Sequence, residues 1–130
     1  SIRVVNLMAE LKSPGECRDI NEVKVVTDLS NFALYFSREP IPNVRARNKA
    51  SVTYKQVCVI PFRRDFLIKF NRLSPTPLEI AESVDMLRIL EHGYKVKMVL
   101  THFDTCSVDT PEDLRQVGKL MKKDPWIKKY

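Results

Sequence analysis

The sequence predicts a mixed α/β unit, and three observations carry that expectation. Two β-branched and aromatic runs, 23–26 and 32–36, flank a short turn-rich link. A strongly capped helical stretch opens at Thr76-Pro77 and leads through Gly93 into an alternating strand. A second cap-and-proline start stands at Thr110-Pro111.

In chain order, Ile2-Arg3-Val4-Val5 reads as a strand in progress. Because the chain opens on Ser1 rather than a methionine, a fragment or one piece of a cleaved polypeptide is the expectation. Val23 to Val26 and Phe32 to Phe36 pair most simply as a hairpin across Asp28-Leu29-Ser30-Asn31. Pro40 and Pro42 then stop regular pairing, because proline removes a backbone donor and restricts the residue before it. A basic loop follows through Lys49, and a buried strand within 52–62 leads into a short helix from Arg64 to about Phe70. Thr76 as N-cap, Pro77 at the first helical position and Glu79 three residues after the cap predict one helix over 77–92, closed by Gly93. Its expected core face is Ile80, Ala81, Val84, Leu87 and Leu90. Removing the Thr76 cap is expected to cost about 1 kcal/mol. Tyr94, Val96, Met98 and Leu100 alternate with Lys95 and Lys97, the period of a strand with one wetted face. A sheet built from these strands alone is expected to leave an open edge and to associate.

With 130 residues and 44% hydrophobic content, residues 1–130 are expected to form one unit with its own core. No apolar run approaches a membrane span and no signal-peptide pattern opens the chain, so a cytoplasmic protein without membrane partners is expected. Cys17, Cys58 and Cys106 suggest neither a disulfide framework nor a thiolate metal site. His92 and His102 alone make a zinc site or a Ser-His-Asp triad unpromising. Glycine at only 15, 93 and 118 excludes a glycine-rich phosphate loop within the chain. The net charge of +6 is concentrated between Arg45 and Arg72, where Arg45, Arg47, Lys49, Lys55, Arg63, Arg64, Lys69 and Arg72 face the single acid Asp65. That block reads either as an anion-binding surface or as a solvated basic face. Nucleic acid is not expected, since no nucleic-acid motif is present and the aromatics are not interleaved as stacking platforms.

Asp109 precedes the N-cap Thr110, where helix amides favour a carboxylate that could serve as a hard oxygen ligand. The same position is equally that of a helix-start carboxylate with no ligand. Arg38 follows the second strand of the hairpin and precedes the Pro40-Ile41-Pro42 break, where its fork could clamp a carboxylate, or simply lie on the surface.

Ala33-Leu34-Tyr35-Phe36-Ser37-Arg38, Pro40-Ile41-Pro42, Thr76-Pro77-Leu78-Glu79, Glu91-His92-Gly93-Tyr94 and Ser107-Val108-Asp109-Thr110-Pro111-Glu112-Asp113-Leu114 together resemble the C-terminal half of the CMP-Kdo synthetase (3-deoxy-manno-octulosonate cytidylyltransferase) family. The resemblance runs from about Asp19 to Val117. It implies the C-terminal half of a nucleotidyltransferase-type, Rossmann-like mixed sheet with flanking helices, with the N-terminal nucleotide-binding half absent. It also implies CMP transfer from CTP to a 3-deoxy keto-acid sugar, with Mg²⁺ as cofactor, a homodimer, and a place in lipopolysaccharide or surface-glycan synthesis. The chain alone is then expected to be inactive. By the same resemblance Asp109 is the catalytic metal ligand, Arg38 lies in the sugar-acid pocket, and Gln56 and Asp85 orient sugar hydroxyls. Gln56 stands where the family has the histidine of an H-x-G-I-Y strand, Ile60 where it has that motif's tyrosine, and Asp85-Met86 where it has a Glu-Gln pair. These departures leave an acylneuraminate-type sugar acid as an alternative substrate. A non-catalytic interaction or dimerisation module is an alternative of another class.

Overall fold

The computed structural model describes residues 2–43, 52–103 and 106–127. Ten elements follow one another: β1 (Val5–Glu10), α1 (Pro14–Arg18), β2 (Lys24–Thr27), β3 (Ala33–Ser37), β4 (Tyr54–Val57), α2 (Arg64–Phe70), α3 (Pro77–Glu82), α4 (Met86–Glu91), β5 (Lys97–Leu100) and α5 (Pro111–Met121). The strands form one mixed sheet in the order β3-β2-β4-β1-β5. β1 and β5 run parallel, Val5 opposite Lys97 and Met8 opposite Leu100, and the other pairings are antiparallel.

The expected hairpin is present as β2 and β3. Its turn is held by the Asp28 carboxylate, which accepts from Ser30 N and Phe32 N at 2.9 and 2.8 Å, with Asn31 left-handed at φ 57. The sheet edge at β5 is not left fully open. Ala33 N donates to Val96 O at 2.9 Å and Met98 N to Asn31 O at 2.8 Å, so residues 31–33 cover part of that edge and curl the sheet at its hairpin end.

Phe36, Val25 and Met8 from the sheet meet Met86, Leu87 and Ile89 of α4, with Phe66 of α2 adjoining, in the continuous buried core. Phe66 meets Tyr94 edge-on at 5.1 Å. The predicted helix over 77–92 is instead two helices, α3 and α4. Ser83 between them is left-handed at φ 53. The cause lies in β3. Arg38 Nε donates to Glu82 O at 2.7 Å and Arg38 Nη2 to Ser83 O at 3.3 Å, taking carbonyls that a continuous helix would bond to amides four residues on. Ser83-Val84-Asp85 also has poor helix propensity, and after the break Ile80 is 68% exposed rather than in the core. Gly93, left-handed at φ 76, closes α4 as expected, its N–H reaching Leu90 O at 2.9 Å.

The capping box at the start of α3 pairs Thr76 with Glu79 as expected, with its hydroxyl arm looser than its carboxylate arm. Thr76 N donates to Glu79 Oε2 at 3.2 Å, but Glu79 N goes to Glu91 Oε2 at 3.3 Å, and the buried Thr76 hydroxyl meets no partner at hydrogen-bond geometry. Because its hydroxyl lies outside strict hydrogen-bond geometry, Thr76 offers a direct test of the cap. Thr76→Val, which keeps the shape and removes the unpaired hydroxyl, is expected to leave the urea midpoint unchanged or slightly raised. A loss of about 1 kcal/mol would restore the hydroxyl as the cap.

The basic block is not one surface. Lys55 is buried and ion-paired to Glu22 at 2.8 Å, while Arg63, Arg64, Lys69 and Arg72 are exposed on and beside α2. Arg45, Arg47 and Lys49, with the expected basic loop, lie outside the described residues.

Candidate functional site beside β4 and the start of α5

Parallel strands present ligand sites beyond their carboxyl ends. Here β1 ends at Glu10 and β5 at Leu100, where a cavity of about 120 Å³ opens, and two further cavities of about 220 and 320 Å³ lie beside it along β4 and the start of α5, with Lys55 lining all three. The smallest is walled by Glu10, Glu16, Thr101, His102 and Phe103. Gln56, Cys58 and Cys106 line the second, and Asp19, Glu22, Asp109 and Asp113 the third.

Asp109 stands where the sequence places it, one residue before the N-cap of α5. Thr110 and Asp113 cap that helix reciprocally, Asp113 N donating to Thr110 Oγ1 at 3.2 Å and Thr110 N to Asp113 Oδ2 at 2.8 Å. The hydrogen bonds from Thr110 hold the Asp113 carboxyl below its ordinary pKa. The Asp109 carboxylate is exposed and, among the described residues, engages no side chain or amide.

Gln56 joins Asp109 around a shared wall formed by Asn21, Glu22, Lys55, Cys106 and Ser107. Its amide nitrogen is fixed, donating to Asn6 Oδ1 at 2.7 Å, and Asn6 in turn donates to Val57 O at 2.7 Å. Arg38 is half-buried and does not project freely from its strand. Besides Glu82 O and Ser83 O, its guanidinium donates to Ile20 O at 2.9 Å through Nη1, on the loop that carries Asp19 and Glu22. Asp85 is exposed at the start of α4, two residues beyond Ser83, and lies outside the three cavities.

Glu82 anchors this second group. Its carboxylate accepts from Tyr35 Oη at 3.2 Å, Ser37 Oγ at 2.9 Å and Arg38 N at 2.9 Å. Burial alone would raise its pKa. The backbone bond from Arg38 and the hydroxyls of Ser37 and Tyr35 outweigh it and hold the carboxyl below 4.5. Sequence reasoning missed Glu82, Lys24 and the Glu22–Lys55 pair. For Lys24 a signal existed: a lysine set within the apolar run Val23 to Val26.

A five-stranded mixed sheet with flanking helices, α5 capped by Thr110-Pro111 among them, is the architecture of a nucleotidyltransferase. Residues 1–99 match the family profile described as cytidylyltransferase, and the chain belongs to that family. Among curated relatives, the 3-deoxy-manno-octulosonate cytidylyltransferase of Geobacter metallireducens is 46% identical over 95% of this chain and 52% of its own length. That of Solibacter usitatus is 43% identical over 89% of this chain and 46% of its own. A solved CMP:2-keto-3-deoxy-manno-octonic acid synthetase complexed with CTP superposes with a TM-score of 0.84 at 32% identity, covering 95% of this chain and 50% of that one. The chain thus spans about half the length of the relatives it matches.

Proposed function

We propose that this chain is the C-terminal, sugar-acid-side half of a cytidylyltransferase that joins CMP from CTP to a 3-deoxy keto-acid sugar and releases pyrophosphate. The anomeric hydroxyl of the sugar acid attacks the α-phosphorus, its proton is lost, and pyrophosphate leaves. The observation that carries the reading is the placement of Asp109, its carboxylate unengaged among the described residues, in a cavity that shares a wall with the one lined by Gln56 of β4. The names of the curated relatives and of the CTP-bound structural neighbour support it.

Among the described residues no group of three His, Cys, Asp or Glu side chains could by itself hold a metal ion. Mg²⁺ characteristically takes one or two carboxylates plus substrate phosphates, and Asp109 fits that single-carboxylate role. When bound, the metal supplies charge neutralisation at the phosphates. The chain's own residues do the positioning: Arg38 faces the sugar carboxylate, while Gln56 and Asp85 orient hydroxyls. Arg38 would bring to that contact only the N–H groups its three carbonyl partners leave over.

Leu114, Leu120 and Met121 stand exposed along α5, an apolar side suited to cover by the rest of the enzyme or by a second copy in a homodimer. Among the described residues no helix is long and apolar enough to cross a membrane. A cytoplasmic place in lipopolysaccharide or surface-glycan synthesis is part of the same proposal.

The test is pyrophosphate release by this chain completed with the N-terminal half of the Geobacter metallireducens relative. Turnover is expected with CTP, Mg²⁺ and 3-deoxy-manno-octulosonate, with far less from an acylneuraminate and none from the 130-residue chain alone. Robust turnover by the isolated chain, or none by the completed enzyme with any keto-acid sugar, would overturn the reading.

A further inference from the structure

Lys24 is fully buried in β2, yet no carboxylate contacts its ammonium at hydrogen-bond distance. Its Nζ donates instead to three backbone carbonyls: Asp19 O at 2.7 Å, Glu22 O at 2.8 Å, and Arg38 O. An ammonium has three N–H donors, so this arrangement requires the charged form and engages every donor. Burial pushes the Lys24 pKa below the usual lysine value, against the nearby charges of Asp19, Glu39, Cys17 and Glu22. A buried cation is a poor way to gain stability compared with an apolar side chain of similar size. What it does supply is a fixed joint between the Asp19–Glu22 loop and the backbone at Arg38.

Those segments are the two parts of the candidate site. Asp19 and Glu22 bracket the loop that walls the Asp109 cavity, and Arg38 directly follows β3. The same loop is tied to Arg38 again through Nη1 to Ile20 O at 2.9 Å, and Glu82 fixes the far side of Arg38 through its backbone N and its Nε. Lys24 has no donor left for a ligand, so any role in the reaction passes through the residues it holds.

We propose that Lys24 is a positioning residue whose buried ammonium fixes Arg38 and the Asp19–Glu22 wall of the Asp109 cavity in one relation, so that the sugar-acid contact and the phosphate side are set together. The proposal rests on the functional reading above. Two arms keep the two separable.

The first arm uses this chain and no activity. In Lys24→Met, amide exchange at Glu22, whose N–H is bonded to Asp19 O at 3.2 Å, is expected to quicken on the order of tenfold. The Arg38 Nε–H resonance should shift or broaden, while the Leu87 amide in the core keeps its protection. The second arm uses the completed enzyme, where KM for the sugar acid is expected to rise on the order of tenfold with KM for CTP nearly unchanged. Lys24→Gln, whose amide keeps two N–H donors, is expected to show the same pattern at smaller size and serves if the methionine variant melts below assay temperature. An unmoved Arg38 resonance in a folded variant overturns the joint. A moved resonance with sugar-acid and CTP KM raised equally, or neither raised, overturns the positioning role. Wild-type completed enzyme without activity would count against the functional reading, and the exchange arm would still decide whether Lys24 holds Arg38.

Discussion

Changing Asp109 to asparagine in the completed enzyme is expected to lower turnover by about two to three orders of magnitude while leaving the unfolding midpoint nearly unmoved. The two effects separate because of where the helix cap resides. Thr110 and Asp113 satisfy each other at the start of α5, and the Asp109 backbone N–H reaches Asp113 Oδ2 at 3.3 Å whatever its own side chain is. Asparagine is nearly isosteric, so the substitution removes charge and little else from an exposed, unengaged carboxylate. Loss of a charged ligand from a metal that neutralises phosphate costs several kcal/mol of transition-state stabilisation, at about 1.4 kcal/mol per decade. Steady-state kinetics and a urea titration on the same preparation check both halves. Unchanged turnover would remove Asp109 from the reaction, and an early melt would make it a structural residue.

The largest stability loss from a polar substitution is expected at Glu82. Glu82→Ala leaves Tyr35 Oη, Ser37 Oγ and Arg38 N without their acceptor at the edge of the core, a loss of about 3 kcal/mol or more. Glu82→Gln should lose less, since its amide oxygen still accepts but its NH₂ faces another donor. The pH dependence has a definite sign. The folded carboxyl is held below its unfolded value of 4.5, so its contribution is complete above that pH and disappears as pH falls through the folded value. Glu79, lowered first by its hydrogen bond from Arg88, adds in the same direction and remains in the variant. Urea midpoints measured from neutral pH down to about pH 3 should show a shallower acid limb in Glu82→Gln than in the wild type. Parallel limbs would mean that Glu82 is not held ionised by these partners.

Much of the fold was legible because its signals were local. The β2–β3 hairpin follows from β-branched runs around Asp28 and Asn31, and the start of α5 follows from Thr110-Pro111 with Asp113 three residues after the cap. The split of 77–92 was not legible. Hydrophobic spacing continues through Ser83, and the break depends on the Arg38 guanidinium taking carbonyls from 44 and 45 residues away. α1 was missed although Ser13-Pro14 with Glu16 signals its start, because its five residues bury nothing and so show no apolar period. At the site, the position of Asp109 was readable from its own motif. The Glu22–Lys55 pair spans 33 residues and leaves no mark in local pattern, and although a lysine within the apolar run Val23 to Val26 was a signal, the carbonyls it would meet on the Asp19–Glu22 loop and at Arg38 were not legible. The sequence also suggested a free Arg38 at a strand end, whereas folding wraps its guanidinium among Ile20, Glu82 and Ser83.

That this chain contributes a metal-binding carboxylate to a nucleotidyl-transfer site is tested most directly by replacing Mg²⁺ with paramagnetic Mn²⁺ in the completed enzyme, with the chain isotopically labelled. Amide resonances from Ser107 to Glu112 should broaden when Mn²⁺ and CTP are both present, and the broadening should be lost in Asp109→Asn. Broadening centred elsewhere in the chain, or equal broadening with and without the Asp109 carboxylate, would contradict it.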